Sequence, residues 1–248
     1  AELLALAEWM LARISARSRN GSAQDPVRAE AFADRARAEI AAYRRTWAEL
    51  DAGVEIREDI PGVMVSHGRL LVGREVSIPV ARVDALLQHE VGTHVLTYHN
   101  GRATRFQLLA AGLAGCDATQ EGLAVLAEHL AGGLSRARLR LLAGRVVAVH
   151  CLLEGATFVE AFRTVTREYG FPRRAAFHLL LRVYRGGGLT KDAAYLRGFR
   201  QVLQYLGEGG TLAPLYVGKI ALRHIGIVQE LQWRNVLAAP RLMPRYMT

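Results

Sequence analysis

Two histidines five residues apart, inside one apolar-periodic segment, constrain this chain more than any other feature. The segment, residues 81–99, reads ARVDALLQHEVGTHVLTYH. Its apolar positions recur at helical spacing, and it runs into Asn100-Gly101, a natural helix stop. Within it lies His89-Glu90-Val91-Gly92-Thr93-His94. Histidines four apart stand about 40° apart around a regular helix, so both can reach one metal ion. Five apart is about 140°, which turns them away from each other. A single π turn, at about 4.4 residues per turn, would return both to one face. Gly92 sits where such an irregularity is cheapest. The spacing predicts a wide turn at Val91–Thr93 if both rings serve one ion.

A carboxylate on a buried helix is expensive without a partner, so Glu90 beside His89 calls for one. The segment DATQEGLAVLAEHLAGG supplies a second helix, with Asp117 and Gln120 as its capping box and Gly132-Gly133 as its end. Glu121 falls in its first turn, next to Gly122, which lets a neighbouring helix come close. A glutamate from a second helix is the usual third ligand of a catalytic His₂Glu zinc site, where one position stays open for water. Glu128, two turns and about 10 Å further along, reads as a surface residue. His129 and His150 read as structural residues, not ligands.

The whole chain, 1–248, reads as a single mainly α (α+β) domain with a small antiparallel β-sheet in its N-terminal third. Residues 1–50 carry two helical patterns, about 2–17 and 26–50, joined by the turn-rich RNGSAQDP; Asp25 would cap the second helix at Pro26. Residues 53–78 form the sheet, with strands at 53–58, 62–66 and 69–73, the last two as a hairpin. Residues 79–248 form a helical core, with further helices at about 135–152, 156–169, 172–184, 190–206 and 217–231, and an irregular tail.

At 51% hydrophobic and 22% charged the composition is that of an ordinary globular protein. Charges interrupt every stretch long enough to span a membrane, so no membrane partner is expected. The N-terminal segment carries acids where a signal peptide carries bases, and a cytoplasmic location is expected. Cys116 and Cys151 form no CxxC pair and read as two buried thiols. The net charge is +9, yet no nucleic-acid-binding signature accompanies it, so nucleic acid is not the expected partner. Of 32 basic residues only Lys191 and Lys219 are lysines. Against so strong a bias to arginine they are candidates for places where a compact ammonium is needed, the alternative being chance survival.

HEVGTH and QEGLA, together with GGLTKDAAYLRG and LYVGK, resemble the QEGLA-motif family. Its bacterial members carry the label flavohemoglobin expression-modulating. Its eukaryotic members are microtubule-associated tyrosine carboxypeptidases, which remove the C-terminal tyrosine of α-tubulin. The resemblance runs from about Gly53 onward. It implies a zinc metallopeptidase with one Zn²⁺ per chain, held by His89, His94 and Glu121, with Glu90 as general base. It favours a carboxypeptidase that removes an aromatic, tyrosine-like residue from a peptide or protein C-terminus. The basic chain would attract acidic tails.

A second donor is needed for the developing oxyanion. Tyr195 is the first candidate, with Tyr184 and His99 as alternatives. A terminal carboxylate needs a cation. The segment from Arg182 through Tyr184, Arg185 and the glycine run to Lys191 supplies three, and Tyr195 shares a helix face with Lys191. Lys191 is favoured over Arg182 and Arg185. Residues 62–73 are the candidate sheet edge for holding an extended substrate. Two alternatives stay open: a zinc endopeptidase, or a regulatory or binding protein with a non-catalytic metal site.

Overall fold

The computed structural model describes residues 1–15, 25–185 and 191–247. The expected turn at Asn20-Gly21-Ser22 and the glycine run Gly186-Gly187-Gly188 lie outside the described residues. The helices are α1 (Glu2–Arg13), α2 (Ala29–Thr46), α3 (Val83–His89), α4 (Leu96–Arg102), α5 (Leu108–Ala111), α6 (Cys116–Leu130), α7 (Arg136–Leu153), α8 (Phe158–Arg167), α9 (Arg173–Tyr184), α10 (Lys191–Gly207) and α11 (Ile225–Trp233). The strands are β1 (Val27–Arg28), β2 (Val54–Arg57), β3 (Val63–Ser66), β4 (Arg69–Gly73) and β5 (Ser77–Ile78). The fold is mainly helical, as the sequence pattern predicts. No helix among the described residues is long and apolar enough to cross a membrane.

The expected hairpin is present: β3 runs antiparallel to β4, with Val63 opposite Val72 and Ser66 opposite Arg69. His67 and Gly68 turn it, both at positive φ, and a side chain at Gly68 would collide with Tyr98 and His99. β2 joins the other side of β4 in parallel, so the order is β2-β4-β3. β4 is therefore the central strand. Within residues 62–73, β3 and not the whole stretch is an edge strand.

Three expected helices differ in extent. The first ends at Arg13 instead of reaching 17. The second begins at Ala29, because Val27 and Arg28 are extended and pair with Ile78 and Ser77; Asp25 and Pro26 precede that pairing. Residues 217–221 are irregular and Leu222–His224 form a 3-10 turn, so α11 begins only at Ile225. There the chain is stitched to the α5 region, with the Lys219 amide donating to the Leu109 carbonyl (2.7 Å) and the Leu113 amide to the Lys219 carbonyl (2.9 Å). Gly218 permits this, since a Cβ there would meet the Leu109 carbonyl oxygen at 2.6 Å.

Two buried apolar clusters flank the α6–α10 pair. One joins α2, the sheet, α3, α4 and residues 215–242; it takes Leu123 and Leu126 from α6 and Val202 from α10. The other joins α1, α7, α8 and α9; it takes Val125 from α6 and Ala193, Tyr195 and Leu196 from α10. The two helices meet backbone to backbone. A Cβ at Gly198 would lie 1.6 Å from the Ala118 carbonyl oxygen, and one at Gly122 would lie 2.3 Å from the Gly198 carbonyl carbon. Close approach requires glycine at both positions, and it sets Glu121 of α6 against the first turns of α10.

Gly198→Ala is accordingly expected to destabilise the protein by about 3 kcal/mol, because backbone and not a flexible side chain must give way. Gly226→Ala, in α11 with open space around it, is expected to be neutral or to stabilise by up to about 1 kcal/mol. Thermal melts of the two variants check this; equal melting temperatures would refute the close-packing argument.

Candidate metal centre

The segment 81–102 forms α3, then a π turn over Glu90–Val95, then α4. The wide turn expected at Val91–Thr93 is there and extends one residue or more to either side. Gly92 serves it by size: its φ is ordinary, and a Cβ would lie 2.5 Å from the Gln88 side-chain oxygen. The Thr93 hydroxyl donates to the Gln88 carbonyl (3.1 Å) and the Thr97 hydroxyl to the Thr93 carbonyl (2.8 Å), so side chains help satisfy the disturbed ladder. The Gln88 amide donates to Glu39 of α2 (2.7 Å), anchoring α3 from behind.

The π turn brings the two rings to one face, with centroids 5.2 Å apart. His89 Nε2 lies 3.7 Å and His94 Nε2 3.8 Å from the same Glu121 oxygen, Oε2. That oxygen is buried and makes no hydrogen bond. One donor atom from each of His89, His94 and Glu121 falls within 4.8 Å of the others. Two imidazole nitrogens aimed at one orphaned carboxylate oxygen is an arrangement that a cation between them would satisfy. Nitrogen, nitrogen and oxygen is also a donor set that suits zinc.

The other ring nitrogens are held from outside. His89 Nδ1 lies 2.8 Å from Glu128 Oε1. His94 Nδ1 lies 3.5 Å from Gln120 Oε1, which also accepts from the Thr97 hydroxyl at 2.8 Å. With N–H on each Nδ1, both Nε2 lone pairs point into the centre. Glu128 is therefore not the surface residue its distance from Glu121 suggested; it is fully buried. An imidazole has two nitrogens, and His89 lies across α6, so one ring addresses Glu121 and Glu128 together. Arg82 (2.8 Å) and Arg138 (2.8 Å and 3.0 Å) complete the shell of Glu128. Seven-residue spacing places Glu121 and Glu128 on one helix face, and that was the signal available in the sequence. Gln120 likewise makes no capping box: α6 starts after Gly115, at φ +76°, with no side-chain cap.

Burial sets the proton affinities here. Desolvation raises the Glu90 carboxyl to about 7, helped by the charge on Glu121 and opposed by His89 and Lys191. Desolvation lowers His94 to about 4, keeping it neutral. For His89 the same burial is outweighed by the hydrogen bond to Glu128 and the nearby carboxylates, and its affinity rises. Glu121 is lowered despite its burial, by His94, His89 and Lys191. Glu128 is held far below the usual range, since its bonds to His89 and Arg138 outweigh its desolvation.

The centre opens on a cleft of about 570 Å³. Val63, Met64 and Val65 of β3 line one side, and Tyr195, Lys191, Asp192, Arg182 and Arg185 line another. Lys191 Nζ lies 3.5 Å from Glu121 Oε1. The Tyr195 ring stacks near His89, centroids 6.3 Å apart, and burial with the Glu121 charge raises its hydroxyl to about 12. Arg182 pairs with Asp192 and reaches the Tyr195 hydroxyl at 3.4 Å. Asp192, buried and missed in the sequence, also faces Arg145 at 3.6 Å.

Two of the expected residues do not reach the cleft. Tyr184 turns to α8, donating its hydroxyl to the Ala156 carbonyl (2.8 Å) and packing on Phe158. His99 lies five past His94 and faces the hairpin, bonding the Gly68 carbonyl at 3.1 Å. His129 is exposed, and His150 faces Glu154 at the surface. Cys116 and Cys151 are free and half-buried, not fully buried. Lys219, the second of the two lysines, also lines the cleft.

Removing Glu128 is expected to loosen His89 and leave two arginines facing a void. Glu128→Ala should lower zinc affinity about 10- to 100-fold and destabilise by about 3 kcal/mol, with Glu128→Gln milder on both counts. Chelator competition and thermal melts measure the two effects; unchanged zinc affinity in Glu128→Ala would show that His89 needs no outer partner.

No curated protein sequence matches the chain at a significant level. Among solved structures it is similar to a proposed lipoprotein of unknown function from Shewanella oneidensis, at 13% identity and a TM-score of 0.53. That similarity covers 94% of this chain and 53% of the other, so the chain spans about half the length of its structural relative; the likeness is one of fold. Residues 1–248 match the family described as microtubule-associated tyrosine carboxypeptidase, and with the whole of its length covered the chain belongs to that family.

Proposed function

We propose that this chain is a zinc-dependent metallocarboxypeptidase that removes a tyrosine-like C-terminal residue. The observation that carries the reading is the convergence of His89 Nε2 and His94 Nε2 on one unpartnered oxygen of Glu121, with Glu90 beside them on the cleft floor. Family membership supports peptide hydrolysis and release of a C-terminal tyrosine. Three protein donors match a site with a position left for chemistry, where a structural site takes four.

His89, His94 and Glu121 would hold the zinc, and zinc when held there supplies Lewis acidity. The chain's own residues do the rest. Glu90, raised to about 7, is matched to accept a proton from the attacking water and pass it to the leaving amine near neutral pH. Tyr195, raised to about 12, keeps its proton and can donate to the oxyanion that develops at the carbonyl. Glu128 and Gln120 hold the imidazoles in orientation. β3 pairs only with β4 among the described residues, and its other edge suits an extended peptide added as a strand. The cations of the cleft suit a free carboxylate or an acidic tail.

The purified protein is expected to bind about one zinc per chain, and zinc should raise its melting temperature. Glu121→Ala should abolish that rise; retention of full zinc occupancy by this variant would remove Glu121 from the ligand set. Glu90→Gln should keep zinc and fold but lose hydrolysis, because the amide keeps the shape and cannot take the proton. Turnover at the parent rate in Glu90→Gln would exclude it as the base.

A further inference from the structure

The cleft carries four cationic side chains, from Arg182, Arg185, Lys191 and Lys219. A carboxypeptidase must neutralise the substrate's terminal carboxylate, and the four are not equally free to do so. Arg182 is committed to buried Asp192. Lys191 is committed to Glu121, 3.5 Å away. Arg185 is exposed at the end of α9, where water already solvates it and an exposed ion pair is worth little. Lys219 differs from all three. It is half-buried, and no carboxylate lies within ion-pair distance of it among the described residues.

Its placement is fixed. Amide and carbonyl of Lys219 are both tied to the α5 region, and its stem packs beside Gly112. Its ammonium lies 5.4 Å from the centre of the Tyr98 ring, an aromatic face that attracts a cation without neutralising it. Burial, with the repulsion of Lys191, lowers its proton affinity, and the nearby Cys116 and Asp117, which form no ion pair with it, offset this only in part. An ammonium partly stripped of water, facing a second ammonium across one cleft, gains most from an anion brought between them.

The geometry points to Lys219 as the residue that captures the terminal carboxylate of the substrate, with Lys191 left to Glu121. This rests on the carboxypeptidase reading. It makes Lys219 a determinant of specificity for a free C-terminus and not a part of the hydrolytic machinery.

The test compares two peptides of one sequence ending in tyrosine, one a free acid and one C-terminally amidated. They are offered to the zinc-loaded parent, Lys219→Met and Lys191→Met. The methionine keeps the length of the stem and removes the charge. The parent is expected to cut the acid much faster than the amide. Lys219→Met should raise KM for the acid at least about tenfold, the worth of one charge-assisted hydrogen bond, and bring acid and amide towards equality, with zinc content unchanged. Lys191→Met should still prefer the acid. A second readout is binding of the uncut peptides to Glu90→Gln and to Glu90→Gln/Lys219→Met, followed by fluorescence anisotropy; the preference for the acid should be lost only in the latter. If the parent discriminates and Lys219→Met discriminates as strongly, the assignment of Lys219 is overturned and the carboxypeptidase reading stands. If the parent cuts and binds acid and amide alike, both fall, and an endopeptidase remains.

Discussion

The backbone contact between α6 and α10 is the constraint on which the site depends. Gly122 and Gly198 let the two helix axes approach until a Cβ on either would strike main-chain atoms. That distance decides which side chains share the cleft. Glu121 neighbours Gly122, and Tyr195 and Lys191 stand one and two turns before Gly198. A wider crossing would draw Lys191 away from Glu121 and Tyr195 away from His89. The apolar clusters on either side hold the pair together, so burial of ordinary leucines and valines stabilises a contact that itself carries polar groups. Desolvating those groups is costly, and the cost is met by cores on both flanks.

The second constraint is the π turn. Inserting one residue between two ligand histidines breaks the regular ladder, and each carbonyl left over must find another donor. Thr93 provides a hydroxyl from within the turn and Thr97 one from the first turn of α4. Gln88, packed over Gly92 and bonded to Glu39, ties the entry of the turn to α2. The irregularity is thus supported by polar side chains from its own helix and from a neighbour. A π turn is a common device at functional sites; here it converts an unfavourable 140° separation into two rings that face one carboxylate.

Much of this was legible in the sequence. The His89–His94 spacing demanded a wide turn, Glu121 lay where a second helix brings its carboxylate, and Gly122 announced a close neighbour. The excess of arginine made the two lysines conspicuous, and both line the cleft. What was not legible has physical causes. Glu128 was judged by its axial distance from Glu121, although a histidine joins two turns of a facing helix through its two nitrogens. Tyr184 and Tyr195 look alike as isolated tyrosines, and only the packing of α9 on α8 sends one to Ala156. Residues 217–221 carry a helical pattern, but Gly218 presses the chain onto Leu109 and gives up helix there for a wall of the cleft. β1 and β5 are two residues each, below the length at which alternation means anything.

The two histidines end up in unlike environments, and this has consequences for how the centre can be assembled. His94 is backed by a neutral amide oxygen at 3.5 Å, a weak restraint, and burial keeps it unprotonated down to about 4. His89 is backed at 2.8 Å by a carboxylate that two arginines fix in place. A carboxylate behind an imidazole raises the basicity of the far nitrogen, so His89 is the stronger donor and the more tightly oriented one. It also attracts a proton more strongly than His94, so proton and cation compete at His89 first. Orientation therefore comes from α6 through Glu128, while readiness to bind without losing a proton comes from His94. Neither property follows from the motif HEVGTH alone; both arise from which face of α6 each ring meets.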